Sequence, residues 1–142
     1  MKRALIIMSL TALAGAAAAA QPYDSGQVWR YQTRPGEEAS RVLINKVEAH
    51  DTLGRIFHIS VLAVQVKNPR IEGGISTVLP HFPVSEQTLK GSLLEIEGSQ
   101  APNPDYLEGY EIWKTAFDKG EAGVFTITVA DIVGVVEQTI NQ

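Results

Sequence analysis

Apolar positions alternate with period two through the first half of the chain and return to helical spacing in the second. From Gly26, the residues Trp29, Tyr31 and Thr33 alternate with Val28, Arg30 and Gln32, which predicts a strand with one face more polar. Arg34-Pro35-Gly36-Glu37 then sets the fixed φ of proline before a glycine that tolerates positive φ, the pair a type II turn needs at its centre. Residues 40–48 place Val42, Ile44 and Lys46 against Leu43, Asn45 and Val47, a second strand. The polar run His50 to Gly54 predicts another reversal. Residues 55–67 are apolar on both faces, with Ile56, Leu62, Val64 and Val66 opposing Phe57, Ile59, Val61 and Ala63, so a long central strand covered on both sides is expected. Asn68-Pro69 ends it, and Gly73-Gly74 precedes a short candidate strand at 75–79.

The period changes after Pro83. Ser85 is a credible N-cap, Glu86 sits in the first turn, and Leu89, Leu93 and Ile96 recur at helical spacing until Gly98, which predicts a first helix. Beyond a Pro-containing connection at 99–104, Asp105 can cap a second helix that carries Tyr106, Tyr110, Trp113 and Phe117 at steps of four, three and four. Gly120 ends that helix. Residues 123–128 read as a buried strand, and Ile132, Val133, Val136 and Ile140 as a C-terminal helix, with a strand continued through Val136 as the alternative. The resulting order predicts an α+β domain, an antiparallel meander of three to five strands with two or three helices packed on one face. A small curved sheet or barrel is the variant. The regular β/α alternation of a doubly wound nucleotide fold is missing.

Residues 1–20 show a basic start at Lys2 and Arg3, an apolar stretch and small residues at Ala18 and Ala20, the pattern of a cleaved secretory signal peptide. An uncleaved anchor is the competing reading, but its strongly apolar part falls short of the roughly 20 residues a span needs. No cysteine is available for lipid attachment. A single mature domain at 21–142, periplasmic or secreted, is therefore expected. Once Lys2 and Arg3 are removed, ten of the 12 basic residues remain against 16 acidic ones, a net charge of −6. That balance gives no electrostatic reason to bind nucleic acid or an anionic membrane surface. The absence of Cys also excludes thiol catalysis and cysteine zinc ribbons. A chain of this length buries about two thirds of its unfolded surface and needs no disulfide staple.

Phosphate-cradling glycine motifs, G-x-S-x-G, H-E-x-x-H and the EF-hand loop are all missing, so no cofactor is implied. Three histidines remain. His58 and Ser60 share one side of the central strand, but side chains two apart stand roughly 6–7 Å from each other, beyond the reach of a nucleophile and its base. His81, in Pro80-His81-Phe82-Pro83, lies in a stiffened segment ahead of a helix start. If the strand at 75–79 pairs beside the central one, His58, His81 and Glu86 can approach as an acid/base or metal site; otherwise the two are hydrogen-bonded structural histidines. His50, in a turn, is expected to be solvated, as are the pairs Glu37-Glu38 and Glu95/Glu97, with Arg34 meeting Glu37 in an exposed pair. The aromatic stripe either docks on the sheet beside Trp29 and Tyr31 or presents Tyr106, Tyr110 and Trp113, with Trp29, to a partner. Gly109 within the second helix suggests close approach by another backbone.

These features lead to an exported acidic binding protein, inhibitor-like, that meets a protein partner in the cell envelope without catalysis. The alternative is a small hydrolase or metal-dependent enzyme using His58 and His81 with a carboxylate. A structural envelope component that self-associates through an apolar patch is a third possibility.

Overall fold

The computed structural model describes residues 22–142; the expected signal peptide and its cleavage site lie outside the described residues. Five strands, β1 (Gln27–Tyr31), β2 (Arg41–His50), β3 (Gly54–Lys67), β4 (Ile75–Ser85) and β5 (Leu93–Ser99), form one open sheet in the order β4-β3-β2-β1-β5. Every pairing between them is antiparallel. Helix α1 (Glu86–Ser92) leads into β5, and α2 (Tyr106–Asp118) and α3 (Val129–Ile140) follow. The architecture is thus the expected α+β meander, and the sheet does not close into a barrel. The helices do not share one face, however: α1 and α3 pack on the main core and α2 on the other side of the sheet. Among the described residues no helix is long and apolar enough to cross a membrane.

The alternation in β1 survives intact, with Gln27, Trp29 and Tyr31 buried while Arg30 is exposed. Gly36 has φ 85° and the Glu37 amide donates to the Arg34 carbonyl at 3.1 Å, as a type II turn requires. In β3, Ile56 to Val61 are all buried, so both faces of its first half are covered. The expected face assignment fails further on. Ala63 takes φ 53°, a left-handed conformation that costs an alanine about 1–2 kcal/mol, and the pairing with β4 shifts between Leu62 and Val66. Val64 and Val66 consequently join Phe57, Ile59 and Val61 in one core instead of opposing them. Leu89 of α1 and Val129, Ile132 and Val133 of α3 close that core, whereas α2 lies over His58 on the opposite face of β3.

Three further expectations need correction. The helix begun at Ser85, whose hydroxyl accepts from the Thr88 amide, ends at Ser92, because Leu93 and Ile96 pair with Tyr31 and Trp29 of β1. The short strand at 75–79 runs on through Pro80 and Pro83 to Ser85, which an edge strand tolerates since its outer amides need no partner. Residues 123–128 form no strand and meet the sheet through a parallel bridge between Val84 and Phe125 and the contact of the Phe82 and Phe125 rings. The C-terminal segment is helical, with the Thr128 hydroxyl accepting from the Asp131 amide.

The turn pair is not exposed either. Glu37 is 4% exposed, accepts from Arg34 Nε at 2.6 Å, and takes the Gln65 amide at 2.6 Å beside the bulge. Glu137 of α3 binds the same guanidinium at 3.0 Å and accepts the Lys67 amide at 2.8 Å. Hydrogen bonds from Arg34 and Gln65 hold the Glu37 carboxyl below its ordinary range despite the opposing effect of burial. Arg34→Met would strand a buried carboxylate, and we expect a loss of about 2–3 kcal/mol by urea unfolding at pH 7, below the 3–5 kcal/mol of a fully enclosed pair because Arg34 keeps some solvent. A loss near zero would show that the network does not hold the bulge. Glu95 and Glu97, expected to be solvated, lie on β5 and pair with Arg30 and Arg41.

Candidate functional site

The face of β3 opposite the main core is built around polar groups. Lys46 of β2 pairs with His58, and a register shift after Ile44 sets Glu48 on the same side, diagonal to the histidine. The fully buried His58 places Nε2 2.5 Å from Glu48 Oε1 and Nδ1 2.8 Å from His81 Nε2. Tyr110 of α2 donates its hydroxyl to Glu48 Oε2 at 3.3 Å. Trp113 and Tyr110 cap the His58 ring at centroid distances of 4.9 and 4.7 Å, and Trp113 Nε1 donates to the Gly123 carbonyl at 2.8 Å.

The imidazole planes are 13° apart and their centroids 5.1 Å apart, while the facing nitrogens approach to 2.8 Å. The rings therefore meet edge to edge in nearly one plane, the geometry of an N–H···N hydrogen bond and not of a face-to-face stack. The shared hydrogen fills the 2.8 Å between them in the plane of both rings, so in this arrangement the two nitrogens do not converge on a common ion about 2.0–2.1 Å from each. Among the described residues no three His, Cys, Asp or Glu side chains group as a metal site.

Proton positions follow from the donors available. A carboxylate only accepts, so His58 Nε2 carries a hydrogen toward Glu48. Burial pushes the His58 pKa down, which leaves Nδ1 bare to accept from His81 Nε2–H. His81 is then the tautomer with an unprotonated Nδ1. Burial and the neighbouring His58 lower its pKa to about 4. That nitrogen makes no hydrogen bond, and no buried side-chain nitrogen or oxygen among the described residues lacks a partner, so it opens to solvent.

Gly109 makes the approach of α2 possible: a Cβ there would lie 3.0 Å from His81 Cβ and 3.3 Å from Nδ1. The close backbone contact suggested by this glycine is thus made with the histidine of β4. On one side of His81 lies a groove of about 480 Å³ lined by Phe82, Trp113, Val124 and Phe125. On the other is a smaller pocket of about 250 Å³, walled by Pro80, Ile112 and Gly109 and carrying Asp105 and Glu108.

The structure brings His58 and His81 together, but Glu86 stands apart, facing Arg55 at 3.6 Å and Lys90 at 3.9 Å. Glu48 takes the carboxylate position. Ser60 gives its hydroxyl to the Pro80 carbonyl at 2.7 Å and accepts from Asn45 at 2.8 Å. Tyr106, Tyr110 and Trp113 share α2, whereas Trp29 belongs to the main core, bonded to Gln27 at 3.0 Å, and lines neither cleft beside His81. His50 is half-buried against Phe117 and accepts the Leu53 amide at 3.1 Å, so it is not simply solvated. No protein-family model, no curated protein and no solved structure matches this chain.

Proposed function

We propose that this is an exported binding protein, acting in the periplasm or outside the cell, that recognises a protein partner through the surface around His81. The observation that supports this reading is the chain Glu48, His58, His81, which presents one neutral imidazole acceptor between two clefts. A general base works best with a pKa near the working pH, and His81 lies at about 4. A group that stays neutral across the physiological range suits recognition better than proton transfer. The adjoining groove, with the half-buried Phe82 and Phe125 over the buried Trp113, supplies the aromatic surface on which partner recognition concentrates.

The relay itself favours one second reading, acid/base catalysis with His81 as base and Glu48 and His58 as its positioning residues. A histidine titration by NMR separates the two: a His81 pKa near 7 would move the assignment to catalysis.

Binding is tested by capture from envelope extract, using the wild-type protein and Ile112→Lys side by side. Ile112 is 67% exposed, so the substitution leaves the core untouched while placing a charge at the mouth of the smaller pocket. We expect a stoichiometric partner with wild type and at least tenfold less with the variant, the equivalent of about 1.4 kcal/mol. Equal recovery from both would sink this surface as the recognition site.

A further inference from the structure

Extending the binding reading, on which it rests, we propose that the pocket beside Gly109 receives a lysine side chain of the partner, with its ammonium donating to His81 Nδ1. The fixed tautomer carries this inference. Because Nε2–H is committed to His58, Nδ1 can only accept, and its ligand must bring an N–H or O–H. Charge narrows the choice. Asp105 and Glu108 line the same pocket one helical turn apart, and neither forms an ion pair among the described residues. Asp105 stands at the N-cap of α2 without a capping hydrogen bond, so its carboxylate is not spent on the helix. The first turn of α2 contributes about half a positive charge, which the two carboxylates outweigh. The pocket thus favours a cationic donor over a neutral alcohol or an anion.

Shape and long-range charge agree. Pro80 and Ile112 offer apolar wall for a methylene stem, and a volume of about 250 Å³ is side-chain scale. Lysine combines such a stem with a head that has three radiating donors and no acceptor. An arginine fork prefers two oxygens in one plane, whereas this pocket offers a ring nitrogen and two separate carboxylates. The net charge of −6 expected for the exported chain steers basic partners toward it.

The test is a titration of the full domain with acetyl-Gly-Lys-Gly-amide, its norleucine counterpart and its arginine counterpart, followed by the ¹⁵N shift of His81 Nδ1. We expect the lysine peptide to move that resonance with a Kd in the millimolar range, about 1 mM being worth a single anchored side chain. The norleucine peptide should leave it in place, and Asp105→Asn with Glu108→Gln should weaken the lysine peptide about tenfold. A His81 resonance indifferent to lysine, equal binding by norleucine or arginine, or no effect of the double substitution would each overturn the proposal. The capture assay keeps the two levels apart. A partner still held by the double variant but lost with Ile112→Lys overturns the lysine anchor alone, while a partner held equally by all three proteins overturns the binding surface itself.

Discussion

Acidification from pH 7 to pH 4 is expected to weaken the fold by about 3 kcal/mol through His81 alone, since each unit of pKa shift is worth about 1.36 kcal/mol. His81 falls from the usual 6.5 to about 4 on folding. Between those values the unfolded chain takes up a proton that the folded one refuses. Stability is therefore complete above pH 6.5, declines as the pH drops below it, and suffers no further loss from this group below about pH 4. His58, its pKa also lowered by burial, adds in the same direction. Glu37 and Glu137 act later: their depressed pKa values place the associated loss below the ordinary carboxylate range. Urea unfolding at a series of pH values reads this out, and His81→Gln, which keeps a donor for His58 but cannot titrate, should flatten the upper part of the profile. A wild-type profile already flat between pH 6.5 and 5 would refute the neutral imidazole at His81.

Trp113→Ala should cost about 3–5 kcal/mol at neutral pH, as truncation of a large buried aromatic does. Trp113 is 8% exposed, lies against His58 and Phe117, and ties α2 to residue 123 through its indole N–H. Its loss also admits water to the histidines. Their pKa values should then rise toward 6.5, and the acid sensitivity above should shrink in the same protein. Calorimetry at pH 7 with histidine NMR checks both effects. A stability loss with unchanged histidine titration would mean that Trp113 packs the helix but does not dry the relay.

The legible parts of the structure were those that local pattern decides. The β1 alternation, the Pro-Gly reversal and the helical spacing of Ile132, Val133, Val136 and Ile140 each depend on a handful of neighbouring residues, and each stands as expected. Residues 93–99 were misassigned because Leu89, Leu93 and Ile96 satisfy helical spacing; only pairing with β1, far away in sequence, makes them a strand. The bulge at Ala63 was equally hidden, since Glu37 and Glu137, which catch the amides of Gln65 and Lys67, come from two other parts of the chain. Bringing His58 to His81 required only that β4 lie next to β3. Glu48 could have been found as well: the hairpin around residues 51–53 sets Lys46 opposite His58 and Glu48 diagonally beyond it. Glu86 attracted attention by its closeness in sequence to His81, but β4 continues to Ser85 and carries the start of α1 away from the ring.

The placement of β1 between β2 and β5 also bears on how the molecule assembles. β2, β3 and β4 are joined by short reversals and can zip together from local contacts, with little loop-closure entropy to overcome. β1 gains its second neighbour only when Ser99 reaches Gln27, after α1 has formed and turned the chain back across the sheet. On a ribosome, a nascent chain that ends before β5 would expose the outer edge of β1, an unpaired template for other strands. The edge of β1 is thus covered only by the strand that arrives last in the chain, which makes β5 the element that completes the sheet.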